Sequence, residues 1–283
     1  MLSGLKRSLQ TAIEARLDGD LIDRIEALKA PMKGRATDDF GLDPDQLKYV
    51  VPIMEFFYRQ WFRVETFGLR AMPAGRVLFV SNHSGQIPID GMMIGSALLF
   101  DGDPPRAVRS MVERWVPTLP FVSTFFARLG QVLGTPENCR RLLQQDHAVL
   151  VFPEGVRGIS KTLDHAYQLQ EFGHGFMRLA LETRTPIVPV GVVGAEEQYP
   201  TLWNFEPLAR VLGIPAVPIA PTMLLLGGLP LPVKYRLHFG RPMYFEGDPD
   251  DDELVVGAKV GQVKDAIAGL LDRGVRDRQH IFW

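Results

Sequence analysis

The chain has 283 residues, 46% of them apolar and 23% charged, which is enough for a sizeable core and excludes a disordered, collagen-like or coiled-coil protein. Its 31 basic and 33 acidic side chains leave a formal charge of −2, so no global field draws it onto nucleic acid and no nucleic-acid partner is expected. A single cysteine, Cys139, excludes an internal disulfide and a multi-cysteine metal site, and suits a reducing, cytoplasmic compartment.

In chain order, Leu5, Leu9, Ile13, Leu17, Leu21, Ile25 and Leu28 recur at helical steps and predict an amphipathic helix stopped by Pro31. No unbroken apolar run of signal-peptide length precedes it, and its polar face mixes acids with bases, which favours packing on the protein over lying on a membrane. Residues 31–45, with Gly34, Thr37, Asp38, Asp39, Gly41 and Pro44, read as a linker. A second helix over Asp45–Phe62 carries Tyr49, Phe56, Phe57, Tyr58, Trp61 and Phe62 on more than one face and is expected to be largely covered. Residues 1–62 thus form an N-terminal helical extension, and residues 63–283 an α/β domain.

In that domain short β-branched runs, Val77–Val80, Ala107–Val112, Ala148–Phe152, Ile187–Val193 and Tyr235–Phe239, alternate with helical patterns. Strands as continuously apolar as Val149-Leu150-Val151-Phe152 suit a single sheet covered by helices on both faces. Val211–Val233 runs 23 residues without a charge, but Pro215, Pro218, Pro221, Pro230 and Pro232 argue against a membrane span. It reads either as a core-packing loop or as a surface that dips into a bilayer. The acidic turn Asp248–Asp252 reads as helix-start chemistry for a last helix over Asp252–Asp272.

Two strand ends carry polar residues fit for chemistry. Strand Val77–Val80 runs into Ser81-Asn82-His83-Ser84-Gly85-Gln86, with Asp90 a few residues on. A loop histidine followed by a carboxylate can serve as a general base whose tautomer the carboxylate fixes. No Gly-x-Ser-x-Gly nucleophile elbow occurs. The second strand end, Phe152-Pro153-Glu154-Gly155-Val156-Arg157, bends at Pro153 and Gly155 and gathers Glu154, Arg157 and Lys161 where α/β sheets bind ligands. Arg157 can grip a phosphate or carboxylate, or be a solvated loop charge like Lys161. Glu196 and Glu197 end another strand and read as solvated, with a cleft-lining role as the alternative. Trp115, Pro117, Leu119, Pro120, Phe121, Phe125 and Phe126 form an apolar, proline-broken patch that reads as core or as a surface admitting acyl chains. His147, His165, His174, His238 and His280 show no metal-ligand spacing, and no metal site is expected.

Four stretches in order resemble the glycerolipid acyltransferase superfamily, which includes the glycerol-3-phosphate and lysophosphatidic acid acyltransferases. They are Asn82-His83 through Asp90, Leu129-Gly130-Gln131-Val132 through Glu137-Asn138, Phe152-Pro153-Glu154-Gly155-Val156-Arg157, and Ile187-Val188-Pro189-Val190. The resemblance implies an acyltransferase-like single mixed sheet flanked by helices. It further implies that His83 deprotonates an acceptor hydroxyl and Asp90 orients the imidazole. The attacked group would be the thioester of acyl-CoA or acyl carrier protein, with no acyl-enzyme, cofactor or metal. Asn82, Ser84, Gly85, Phe152, Pro153, Glu154, Gly155 and Arg157 would bind substrate. Six residues separate His83 from Asp90, which looks more like the branch related to monoacylglycerol and diacylglycerol acyltransferases. Thr135 stands near the place of the family's phosphate-binding arginine, with Arg140 and Arg141 following, which suits a neutral acceptor; Val156 replaces the third motif's threonine and removes one hydroxyl donor. The expectation is therefore a cytoplasmic, peripherally membrane-bound acyltransferase acting on a glycerolipid or similar amphiphilic alcohol. A thioesterase-like hydrolase and a non-catalytic lipid-binding protein on the same fold are the alternatives.

Overall fold

A computed structural model describes residues 18–84, 87–112, 126–205, 207 and 218–283. Helix α1 spans Gly19–Ala27 and ends before Pro31, its Leu21 and Ile25 turned into the core. The earlier part of the predicted amphipathic helix, Leu5 to Leu17, lies outside the described residues. Helix α2, Pro44–Glu55, starts where Asp43 accepts hydrogen bonds from the amides of Asp45 and Gln46. It passes into a π-helical stretch over Phe56–Trp61. The wider turn rotates this aromatic segment, so that Tyr58 and Phe62 are buried while Ile53 and Phe56 stay exposed, less covered than the sequence predicts.

Strands β1 (Glu65–Phe67), β2 (Val77–Ser81), β3 (Val108–Val112), β4 (Val132–Leu133), β5 (Ala148–Val151), β6 (Ile187–Val193) and β9 (Arg236–Phe239) form one sheet in the order β1-β9-β6-β2-β5-β3-β4. β7 (Trp203–Asn204) and β8 (Pro218–Ile219) pair separately. Every neighbour in the large sheet is parallel except β6 and β9, which run antiparallel. The sheet is therefore mixed, and all five strands expected from sequence are present. β1 and β4 are too short to show a period.

Alternation along the strands divides the core in two. Val77, Phe79, Leu150, Val188, Val190 and Val192 face one layer, with α1, α2 and α3 (Ile89–Phe100). Leu78, Val80, Val149, Ile187 and Val193 face the other, with α4 (Pro136–Gln144), α6 (Gly175–Thr183) and α8 (Glu253–Asp277). The helices of the predicted N-terminal extension thus share one apolar core with the sheet. Helix α8 runs past the predicted Asp272 because Ile267, Leu271 and Gly274 prolong its buried stripe. At Gly274 a Cβ would lie 2.8 Å from Val193 Cγ2, so glycine lets the helix lie close on β6. The acidic turn stands at the start of α8 as expected, with Asp252 in the N-cap position and Glu253 in the first turn; Asp252 makes no side-chain cap, while Asp248 and Asp251 accept from amides within the turn.

Candidate active site

β2, β5 and β6 lie in parallel register, with Val80 opposite Val151 and Ser81 opposite Val190, so their carboxyl ends come together, the usual ligand site of an α/β sheet. The residue after β2, Asn82, is fully buried; its side chain donates to the Val192 carbonyl at 3.1 Å and accepts from the Val192 amide at 2.8 Å. It pins the start of the His83 loop to β6.

Asp90 lies in the first turn of α3, near the positive end of the helix dipole, with a side chain 0% exposed. Its Oδ2 is 2.7 Å from His83 Nδ1 and accepts from the Ser84 amide at 3.0 Å; its Oδ1 accepts from the Gly91 amide at 2.8 Å. With the Ser84 and Gly91 amides already donating to it, the carboxylate faces the ring as an acceptor, which assigns the imidazole proton to Nδ1. His83 Nε2 then carries the lone pair, and it has no hydrogen-bond partner among the described residues. The imidazole stacks on Phe152 at 4.1 Å and 21°.

The second loop supports the first from below. Glu154, with a fully buried side chain, accepts from the His83 amide at 2.8 Å and from the Gln170 amide at 2.8 Å. Gly155 has φ +56°, which favours glycine, and opens the short helix α5, Val156–Ile159. Within α5, a Cβ on Gly158 would lie 2.8 Å from His83 Cβ and 3.0 Å from both Glu154 Cβ and the His83 carbonyl. Only glycine lets the two loops approach this closely. Pro153 accepts from the Gly173 amide at 3.1 Å, closing the turn.

Of the residues expected to contact substrate, the structure brings His83, Asp90, Ser84, Phe152 and Glu154 together, whereas Gly85 lies outside the described residues. Ser84 Oγ is buried and has no hydrogen-bond partner among the described residues. Arg157 is half exposed and paired with the exposed Glu171 at 2.7 Å, a solvated bond easily exchanged for another anion. Thr135 caps α4 by accepting from the Asn138 amide. Arg140 is engaged by Glu137 and Glu182, and Arg141 lies over the Phe40 ring. The patch from Trp115 lies outside the described residues except for Phe126.

Lys161 and Glu196 correct the sequence reading. Neither is solvated: their side chains are 3% and 5% exposed, with Nζ and Oε1 2.7 Å apart. Each offsets the desolvation of the other, which no periodicity reveals because they are 35 residues apart. Sequence reasoning also missed Gly158, whose demand for space exists only once the two loops meet. Among the described residues no group of three or more His, Cys, Asp or Glu side chains converges as a metal site would.

With this geometry in place, relatives become informative. The family profile described as Acyltransferase matches residues 63–193. An uncharacterised protein of Mycobacterium leprae is 35% identical over 295 residues, covering 99% of this chain and 80% of its own length. A protein of Bos taurus named "DGAT1/2-independent enzyme synthesizing storage lipids" is 25% identical, covering 76% of this chain and 61% of its own. The crystal structure of the 1-acyl-sn-glycerophosphate (LPA) acyltransferase PlsC from Thermotoga maritima has the same fold, with a TM-score of 0.52 at 16% identity, covering 93% of this chain and 89% of that one. The chain belongs to the glycerolipid acyltransferase superfamily and is an acyltransferase.

Proposed function

We propose that the protein transfers a fatty acyl group from the thioester of acyl-CoA or acyl carrier protein to the hydroxyl of a glycerolipid or similar amphiphilic alcohol. The observation that carries this reading is the buried, amide-held Asp90 at 2.7 Å from His83 Nδ1, which leaves Nε2 as the basic atom. In the reaction His83 Nε2 takes the proton of the acceptor hydroxyl while its oxygen attacks the thioester carbonyl. The carbon–sulfur bond then breaks, the thiolate recovers the proton from Nε2, and an ester and a free thiol leave. Asp90 holds the ring and stabilises the transient imidazolium, as a triad carboxylate does. Glu154 fixes the backbone that carries the base, and Arg157 is the exposed cation available to an anionic part of either substrate.

The substrates require access to lipid. No helix among the described residues is long and apolar enough to cross a membrane. Leu202, Trp203, Phe205, Leu225, Leu226 and Leu229 are exposed around the β7–β8 ribbon and α7, Pro221–Leu225. That region is tied to the site, since Asn204 donates to the Ser160 carbonyl at 2.6 Å and the Leu163 amide to Thr201 at 3.0 Å. We assign it to peripheral contact with a cytoplasmic membrane face. Replacing Leu225 and Leu226 by lysine lowers sedimentation with phospholipid vesicles while the fold is kept; unchanged sedimentation refutes that surface. The reaction itself is tested by thiol release from acyl-CoAs and acyl carrier protein in the presence of glycerol-3-phosphate, lysophosphatidic acid, monoacylglycerol or diacylglycerol. Acceptor-dependent release with a matching acylated product supports transfer, and equal release without acceptor contradicts it.

A further inference from the structure

The proton-transfer chemistry uses His83 and Asp90, yet a second charged group is buried directly behind them. Lys161 follows α5 and Glu196 follows β6, and both side chains are nearly inaccessible. Lys161 Nζ is 2.7 Å from Glu196 Oε1 but 3.6 Å from Glu154 Oε2. That Oε2 also accepts from the Gln170 amide, and the other oxygen of the same carboxylate, Oε1, accepts from the His83 amide. A buried ammonium between two carboxylates moves toward whichever is the stronger anion. Its position sets the pull on Oε2, and so the orientation in which the planar carboxylate presents Oε1 to the His83 amide.

We propose that Lys161 and Glu196 are positioning residues for the general base: Glu196 draws the ammonium away from Glu154, leaving that carboxylate to hold the His83 amide and with it the imidazole. The kinetic consequences rest on the acyl-transfer reading; the structural ones do not. Burial pushes the Glu196 carboxyl up to about 7, against the opposing pull of Lys161. When Glu196 takes a proton, Glu154 is the remaining anion beside Lys161, and the ammonium draws on Oε2, which turns the carboxylate and shifts Oε1 from its seat on the His83 amide. The groups facing Glu196 are Lys161, Glu154 and the Tyr167 amide. Behind it Glu197 accepts from the Tyr167 hydroxyl and the Arg278 guanidinium, and beyond Glu154 stand His83 and Asp90.

The test reads the His83 amide directly. With ¹⁵N-histidine label the protein gives six histidine amide signals, and that of His83 is the one lost in His83→Ala. Titrated through neutrality, the wild-type His83 amide shifts in a step centred at about 7, and Glu196→Gln removes that step and holds the signal at its acid-side position. In the acyl-transfer assay Glu196→Gln lowers kcat roughly tenfold while KM stays within about twofold, because the base is displaced rather than the substrates lost. The double variant Lys161→Met with Glu196→Gln keeps the net buried charge, removes the ammonium that would pull on Glu154 Oε2, and recovers kcat to within about threefold of wild type. A merely structural pair predicts the opposite, a double variant at least as impaired as the single one. The proposal is overturned by a His83 amide titration identical in wild type and Glu196→Gln, or by a double variant that fails to recover. If the wild type transfers no acyl group to any acceptor, the acyl-transfer reading fails and the amide titration still decides the positioning role.

Discussion

His83 and His238 sit on the same sheet, one just beyond β2 and the other inside β9, and they show what separates a base from a packing residue. His83 has a buried carboxylate on Nδ1, an aromatic face beneath it, and a ring edge that reaches solvent. His238 stacks on Phe67 at 4.6 Å, turns Nε2 toward Gly274, and leaves that atom buried without a partner among the described residues. Burial, with Arg273 and Arg236 adding to it against Asp277, holds the His238 pKa below its ordinary 6.5. At His238 desolvation outweighs the Asp277 charge and favours the neutral ring, whereas at His83 a buried carboxylate on Nδ1 orients the ring.

The comparison breaks most visibly at Asp90. Asp90→Asn keeps the volume but removes the charge that assigns the proton to Nδ1, and kcat is expected to fall by roughly 10²–10⁴ with KM little changed, measured by steady-state thiol release. A loss below about threefold contradicts the orienting role.

Stability against pH sharpens it next, because the two buried groups titrate with opposite sign. The Glu196 carboxyl is raised to about 7, so its contribution is fully present below pH 4.5 and is lost as pH rises through 7. Glu196→Gln therefore removes a decline on the order of 3 kcal/mol across that window, read by urea melts at a series of pH values. The His238 pKa is depressed, so its contribution is present above pH 6.5 and is lost as pH falls through its lower folded value. Removing the chargeable ring by His238→Leu flattens that acid-side loss and leaves acyl transfer within about twofold, at a packing cost of ~1 kcal/mol. Between these effects lies Gly158→Ala. The added methyl collides with His83 Cβ and the His83 carbonyl, so it is expected to cost about 1–3 kcal/mol and to lower kcat more than KM; a neutral outcome in both melts and kinetics shows that the two loops do not pack as described.

What the sequence made legible follows from distance along the chain. The five main strands and the helices between them are local patterns, and they appear where periodicity predicts them. His83 and Asp90 are close in sequence and announced by a strand end, so their pairing could be expected before any contact was known. Glu154 was visible as a polar residue at a second strand end, but that it serves the His83 amide depends on β2 and β5 being neighbours. Lys161 with Glu196, and Gly158 beneath His83, become meaningful only when separate segments meet, and there charge composition misleads because solvated and buried ion pairs read alike. The short strands β1 and β4 were invisible for a different reason: they are held by pairing at the sheet margins rather than by any period of their own.

The central claim is that His83, held by Asp90, takes the proton from a lipid hydroxyl during acyl transfer. It is tested most directly by comparing wild type with His83→Ala under saturating acyl thioester, with each acceptor in turn and the lipid products identified by mass. The account predicts an acceptor-dependent acylated lipid with the wild type and a rate lower by at least about 10³ with a folded His83→Ala. Comparable ester formation by the two proteins contradicts it.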